Sequence, residues 1–320
     1  MTPIKRRSLL GMLGGTALVG CTPTGPSVPA VTRNAPDPFE GGIGGTGIVG
    51  VMTDFGSLIV NGLRVEVDGR TRFRSAFGPV SEGAALPGRS LTILATKTRD
   101  QLVARDVAVD LPLIGLVRPG AGGAVTVNGI EVRAEAGAVG TLRLGRRVAL
   151  SGVWTATGFS ASRIDPADTD LDVIAGTFRR AGPTGAAIGT APLRLASTRP
   201  ADGSYLAARG RFGDGVFAAD AVRRTRFPLG TTGLRQLSVE GYLEPQASAP
   251  GFRVAGLGHS FARDLQLAPL ARHRAIYFGP YDGRFRAAAG YIVPDGFGDR
   301  RALLADGVTG AHGGPVIRTR

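Results

Sequence analysis

The sequence predicts an all-β protein in which small five-stranded barrels follow one another along the chain, behind a signal peptide and a flexible tether. Three observations predict it. Apolar and polar residues alternate over short runs, with almost no stretch of the 3.6-residue period that marks an amphipathic helix. Fifty glycines and 21 prolines among 320 residues punctuate those runs, more than a helical bundle tolerates. One strand pattern recurs four times at nearly constant spacing, the mark of a repeated unit. With 43% hydrophobic and 20% charged residues the chain has enough apolar surface to bury cores, which excludes wholesale disorder. Its glycines lack the three-residue period of collagen.

Residues 1–20 read as a signal peptide: Lys5, Arg6 and Arg7 form a basic start, and Leu9 to Val19 a short apolar run before small residues. That run is too short to cross a bilayer, which takes about 20 residues. Leu18-Val19-Gly20-Cys21 resembles the lipobox of bacterial lipoproteins at all four positions. The resemblance implies that Cys21 is diacylated, becomes the new N-terminus and is acylated again, exceeding the two signals that stable anchoring takes. Cys21 is also the only cysteine, so no intramolecular disulfide competes for it. Thr22, in place of an aspartate after the anchor, implies transfer to the outer membrane, facing the periplasm. Arg6-Arg7-Ser8-Leu9-Leu10 resembles a twin-arginine export signal, and an ordinary basic start explains it equally well, so both export routes stay open. Residues 21–46, with Pro23, Pro26, Pro29, Pro36 and Pro38 and few large apolar groups, form the tether.

The formal charge is +13, and all but two of the 38 basic residues, Lys5 and Lys97, are arginine. Loss of residues 1–20 removes three of those charges and no acid, leaving about +10 on the mature chain. The arginines are spread along the sequence and not gathered in blocks. Codon preference for arginine accounts for them as well as an anionic partner does.

The repeated pattern is apolar-x-Gly-apolar: Ile48-Val49-Gly50-Val51, Leu113-Ile114-Gly115-Leu116, Ile174-Ala175-Gly176-Thr177 and Val239-Glu240-Gly241-Tyr242, the glycines 61 to 65 residues apart. A glycine inside a strand suits the strong bend of a small barrel. Asn61-Gly62 and Asn128-Gly129 each stand between alternating apolar runs, the strongest short hairpin signal. The third copy replaces that turn with Gly189 to Pro192 and the fourth with Pro245 to Gly251. A strand opening at Gly88, Gly145 and Gly203 and an Ala-x-x-apolar strand (Ala104, Ala161, Ala219) close the first three copies. Four units result, over residues 47–110, 111–168, 169–228 and 234–294, with a C-terminal tail over 295–320 that caps the last barrel or stays mobile. Units of about 60 residues with five strands read as OB-like barrels, SH3-like barrels being the alternative. Alone they are marginal, so neighbours are expected to pack together.

Gly41 to Ile48 followed by Thr53-Asp54-Phe55-Gly56-Ser57-Leu58-Ile59-Val60-Asn61-Gly62 is similar to the exported bacterial family called domain of unknown function 5666. The similarity is close over residues 41–110, fair over 111–168 and slight beyond. It implies tandem small barrels behind a signal or lipobox, assigns no activity and lends no catalytic residue.

Gly42-x-Gly44-x-x-Gly47 matches the dinucleotide fingerprint in letters only, because a Pro-rich tether precedes it and a strand follows where a helix N-terminus is needed. It reads as a hinge. Asp165, Asp168, Asp170 and Asp172 put four carboxylates within eight residues, but Val173 and Arg179 break the EF-hand pattern, so they read as a solvated acidic linker. His259, His273 and His312 lack metal-ligand spacing. His259, Ser260 and Asp264 have the side chains of a hydrolase triad without a Gly-x-Ser-x-Gly elbow, and read as a polar loop. Arg72, Phe73, Arg74 and Phe77, with Arg209, Arg211 and Phe212, have the composition of a single-strand nucleic-acid groove. At 6% aromatics in an exported chain they read as core rings and surface charge, and Trp154 as a barrel lid.

The sequence thus leads to a lipid-anchored envelope protein that binds or scaffolds another component without catalysis. Its expected partners are the membrane, through Cys21, and an envelope protein or anionic envelope polymer. No nucleic acid, cofactor, metal or catalytic residue is assigned. The alternatives are an envelope enzyme with a site between barrels and an OB-type binder of anionic polymers.

Overall fold

The computed structural model describes residues 45–98, 101–182, 185–196, 200–226, 233–245, 251–257, 260–262, 270, 272–281, 285, 287 and 289–305. The described residues are all-β apart from one α-helix and two single 3-10 turns. Leu18, Val19, Gly20, Cys21 and the tether lie outside the described residues.

The first segment holds β1 (Gly45–Asp54), β2 (Leu58–Val60), β3 (Leu63–Glu66), β4 (Arg72–Ser75), β5 (Gly78–Pro79), β6 (Ser90–Thr98) and β7 (Gln101–Asp110). Here β1 pairs β2, β2 pairs β3, β3 runs parallel to β7, β7 pairs β6 and β6 returns to β1, which closes a ring of five strands. The hairpin β4–β5 hangs on β7. The second segment, β8 (Leu113–Pro119), β9 (Val125–Val127), β10 (Ile130–Val139), β11 (Arg147–Trp154) and β12 (Phe159–Pro166), traces the same circuit. So does the third, β13 (Asp172–Ala181), β14 (Gly185–Ile188), β15 (Ala191–Leu195), β16 (Tyr205–Gly213) and β17 (Val216–Arg223). In each, the third and fifth ring strands are the parallel pair, as in an OB-like barrel.

The fourth segment departs from this order. Its β18 (Leu234–Gly241) pairs β22 (Ala275–Pro280), which pairs β23 (Ala289–Ile292), while β19 (Leu243–Pro245), β20 (Gly251–Val254) and β21 (Ser260–Ala262) form a separate three-stranded sheet. The described residues of this segment therefore show no five-strand ring. Nor do the segments stand in a row. β1 lies parallel to β18, joining first and fourth, and β8 pairs β13, joining second and third. Each joint fuses a core: Ile276, Phe278 and Tyr291 pack with the first segment, and Phe178, Ile188 and Phe217 with the second.

The repeated glycine has a cause beyond barrel bending. Asn61 (φ 57°) and Gly62 (φ 75°) make the positive-φ turn that a two-residue hairpin needs, as do Asn128 (φ 53°) and Gly129 (φ 75°). The buried Asn61 carboxamide then folds back to donate to Val49 O at 3.1 Å and to Ser238 Oγ at 2.8 Å, and Asn128 donates to Ile114 O and Val173 O, both at 2.9 Å. A β-carbon on Gly50 or Gly115 would fall on the Asn oxygen. Each asparagine also ties its own first strand to the strand that joins the next core.

Polar seams hold the two halves together. Ser90 Oγ both donates to Gly152 O and accepts from Gly152 N–H at 2.8 Å, and Ser162 Oγ donates to Gly88 O at 2.8 Å. Arg226 reaches from the end of the third segment to Asp110 of the first at 2.7 Å, its guanidinium 5.3 Å from the Tyr205 ring. The tail supplies α1 (Phe297–Ala305), which packs on β1 and β10 and buries Phe297, Arg300 and Leu304. The described part of the segment read as a C-terminal tail thus holds a helix that bridges the first and second segments.

Candidate binding cleft and the ion cluster behind it

Where the second segment, the fourth segment and α1 meet, four charged side chains lose almost all contact with water: Glu135, Glu240, Arg274 and Arg300 are 0 to 1% exposed. Burying a charge is costly unless it is paired and hydrogen-bonded. Here Arg274 donates from Nη1 to Glu135 Oε1 at 2.5 Å and from Nε to Glu240 Oε1 at 2.8 Å. Arg300 donates from Nη2 to Glu135 Oε2 at 2.8 Å, and its Nε lies 3.1 Å from Glu240 Oε1. The second Glu240 oxygen accepts the Val51 N–H of β1 at 2.7 Å. Burial alone would raise the Glu240 carboxyl, yet Arg274, Arg300 and the Val51 amide together hold it below its ordinary value. The Arg274 guanidinium is pushed upward, Glu240 and Glu135 overcoming its burial.

Local structure aims these groups. Along β10, Ile130 and Val132 point inward with strand periodicity; Ala134 is then exposed and Glu135 buried. The pairing of β10 with β12 shifts register between Ala134 and Val139, and such a bulge re-aims side chains. On β18, Leu237 and Val239 face the fourth segment's apolar core, so Ser238 and Glu240 point the other way, toward Asn61 and the ion cluster. Arg274 enters from the residue before β22. Arg300 projects from α1, where its Nη1 also donates to the carbonyls of Pro294 and Asp295 at 3.0 and 3.1 Å.

Glu135 is the shared element between this cluster and a cleft of about 430 Å³. The cleft is walled by β10, by the β11–β12 turn, by Tyr242 and by Asp295. Tyr242 donates its hydroxyl proton to Asp295 Oδ1 at 2.6 Å. Burial, and then the Asp295 carboxylate, hold that phenol above its ordinary range, so it stays protonated. Glu131 is paired with Arg133 at 2.9 Å, and Ser160 Oγ approaches Glu135 Oε1 at 3.4 Å. Two hydrogen bonds staple the turn: Thr155 N–H donates to Gly158 O at 2.9 Å while Gly158 N–H donates back to Thr155 Oγ1 at 3.0 Å. The same turn residues Thr155, Thr157 and Gly158 line a second trough of about 170 Å³, whose far wall is the Arg179–Glu244 pair at 2.8 Å. A third hollow, of about 570 Å³ beside Phe55, Met52 and Leu58, is more apolar, and its Glu66 is held by Arg64 at 3.1 Å.

Trp154 stands under the trough, 6% exposed, edge-on to Phe159 with ring centres 5.6 Å apart, its Nε1 donating to Ala175 O at 2.9 Å. It is a core plug where second, third and fourth segments meet. A β-carbon on Gly256 would fall on its indole, and one on Gly189 or Gly176 would crowd it.

The remaining sequence candidates are placed as follows. Gly42 and Gly44 lie outside the described residues, and Gly47 lies within β1. The four aspartates do not form a free linker. Asp165 belongs to β12 and pairs with Arg89 at 2.7 Å and Arg163 at 2.9 Å, and the buried Asp172 of β13 pairs with Arg147 at 2.7 Å. Only Asp168 and Asp170 are exposed. This corrects the solvated-linker reading: the arginines, dispersed in sequence, return to these carboxylates in space. Among the described residues no group of three His, Cys, Asp or Glu side chains is arranged to hold a metal ion. His259, Asp264 and His312 lie outside the described residues; Ser260 is in β21, and His273 is exposed.

The two basic-aromatic sets meet each other. Arg209 sits 5.3 Å over the Phe77 ring, Arg74 pairs with Asp106 at 2.7 Å, and Phe212 packs against the second-segment core. Arg72 and Arg211 stay largely exposed. Glu240 and Tyr242 stand in the sequence only as letters of the fourth strand pattern, and nothing there singled out Glu135, Arg274, Arg300 or Asp295. Set against family models, curated proteins and solved structures, the chain matches none.

Proposed function

We propose that this protein is held by a lipid on Cys21 in the bacterial cell envelope, on the periplasmic side of the outer membrane, and binds another envelope component without transforming it. The lipobox letters Leu18-Val19-Gly20-Cys21 and the basic and apolar run before them support the address. Among the described residues no helix is long and apolar enough to cross a membrane. The observation that carries the binding role is the cleft. Its polar groups are fixed from behind by a buried ion cluster and from the side by a stapled turn, the pre-organisation that keeps affinity from being spent on ordering the site.

Two measurements test the reading. Cys21→Ala moves the protein from the membrane fraction to the soluble one; persistence in membranes defeats the anchor. Crosslinking in intact envelopes captures a component that Thr157→Trp, a bulky substitution in the exposed turn, no longer captures; unchanged capture defeats the cleft.

A second reading, an envelope enzyme with its site between barrels, is favoured by the Tyr242–Asp295 pair beside Glu135 in one cleft. It requires Asp295→Asn to abolish turnover of the captured component while binding persists. The exposed arginines of the mature chain would serve an anionic envelope polymer, and that contact weakens as salt rises.

A further inference from the structure

Resting on that binding reading, we infer that the cleft and the trough are one continuous groove for a neutral, polyhydroxylated chain, that is, a glycan segment several sugar units long. Continuity comes from Thr155, Thr157 and Gly158, which line both hollows. Together the two hollows, of about 430 and about 170 Å³, fall within the roughly 300–1,000 Å³ of small-molecule sites. A groove that runs on both sides of one stapled turn suits an extended ligand better than a compact one.

The lining is polar but nearly charge-balanced. Glu131 is matched by Arg133, Glu244 by Arg179, and Glu135 by Arg274 and Arg300 behind it. Asp295 faces the Tyr242 hydroxyl. Such a wall offers fixed donors and acceptors in alternation without a net field, so it has little to offer a small ion and much to offer hydroxyl groups, which donate and accept at once. With its arginines already paired, the wall has no free cation among the described residues to draw in an acidic polymer, in contrast to the basic exterior.

Thr177 gives independent support. It is 5% exposed, lines the trough, and its Oγ1 has no hydrogen-bond partner among the described residues. A buried hydroxyl left unmet is unfavourable, and a ligand hydroxyl seated in the trough would satisfy it. Thr190 beside it already spends its proton on Gly129 O at 3.0 Å, leaving its lone pairs to accept.

The test uses the full lipidated protein in a detergent without a sugar head group. Calorimetric titration is run with neutral tetrasaccharides of the chito, cello, malto and manno series, with a cationic chitosan tetramer and with an anionic tetragalacturonate. At least one neutral tetrasaccharide binds, with affinity nearly unchanged between about 10 and 150 mM salt, whereas the anionic probe does not bind. Thr157→Trp and Thr177→Val each weaken binding about tenfold. The valine variant keeps its shape and loses only the unmet hydroxyl, so it folds at least as well. The inference is overturned if no neutral tetrasaccharide binds, if the anionic probe binds better than the neutral ones, or if both variants bind as well as the parent. Loss of crosslinked capture by Thr157→Trp together with no saccharide binding overturns the glycan and leaves the binding role standing. Unchanged capture overturns both.

Discussion

Arg300, in α1, donates to Glu135 of β10 at 2.8 Å across 165 residues of chain, and neither side chain is more than 1% exposed. The C-terminal segment is therefore part of the charge balance of the interior. Arg300→Met removes one cation from a buried set of two pairs. Breaking such a set from one side leaves an uncompensated charge and costs about 3–5 kcal/mol, while replacing the whole set by apolar residues is often neutral. A large fall in the urea midpoint for Arg300→Met, and a much smaller one when Glu135, Glu240, Arg274 and Arg300 are all made apolar, are expected. Equal falls would show that the charges are not acting as a unit.

The second prediction concerns pH. Glu240 has its carboxyl depressed in the folded state, so its contribution is fully present above the ordinary glutamate value of about 4.3 and is lost as pH falls below that toward the folded value. Stability should be flat around neutrality and fall in acid. Glu240→Gln should be less stable at pH 7 and less steeply acid-sensitive. An unchanged slope of unfolding free energy against pH would remove Glu240 from the account.

A third prediction follows from Asn61 lying where a Gly50 side chain would be. Gly50→Ala overpacks the first strand and costs about 1–3 kcal/mol. Asn61→Ala loses the bonds to Val49 and Ser238. The double variant should be more stable than the sum of the two losses predicts, because the second change removes the Asn61 part of the clash created by the first and leaves only the contact with Glu240 at 3.0 Å. Strict additivity would argue against the contact.

How much of this was legible in the sequence differs from element to element. Alternating runs and the two Asn-Gly turns marked the hairpins, because their signals are local. The pairing of β1 with β18 left no local trace; Val51 and Glu240, bonded across it, are 189 residues apart. Glu135 reads as an outward charge until the bulge changes the phase of β10. The helix hid because its buried stripe, Phe297, Arg300 and Leu304, has a cation in the middle, which breaks the apolar periodicity that announces a helix. Of these hollows, Trp154 under the trough had drawn attention, Tyr242 stood only as the last letter of a strand pattern, and Asp295 carried no motif.

The fourth prediction concerns the ring of Phe77 under Arg209. Phe77→Ala should cost about 0.5–1 kcal/mol, the worth of a partly exposed cation–π pair, measured by thermal unfolding. Affinity for a single-stranded oligonucleotide, where any is detectable, should not change. A drop in that affinity would return these residues to a nucleic-acid surface.

Trp154 is the only tryptophan in the chain, and it is wedged where three consecutive segments converge. Nature has thereby installed one intrinsic fluorophore at the junction whose formation is hardest to follow by other means. Its emission should shift to the red when that junction opens, even while the outlying rings persist, giving an optical clock for the order in which this polypeptide assembles.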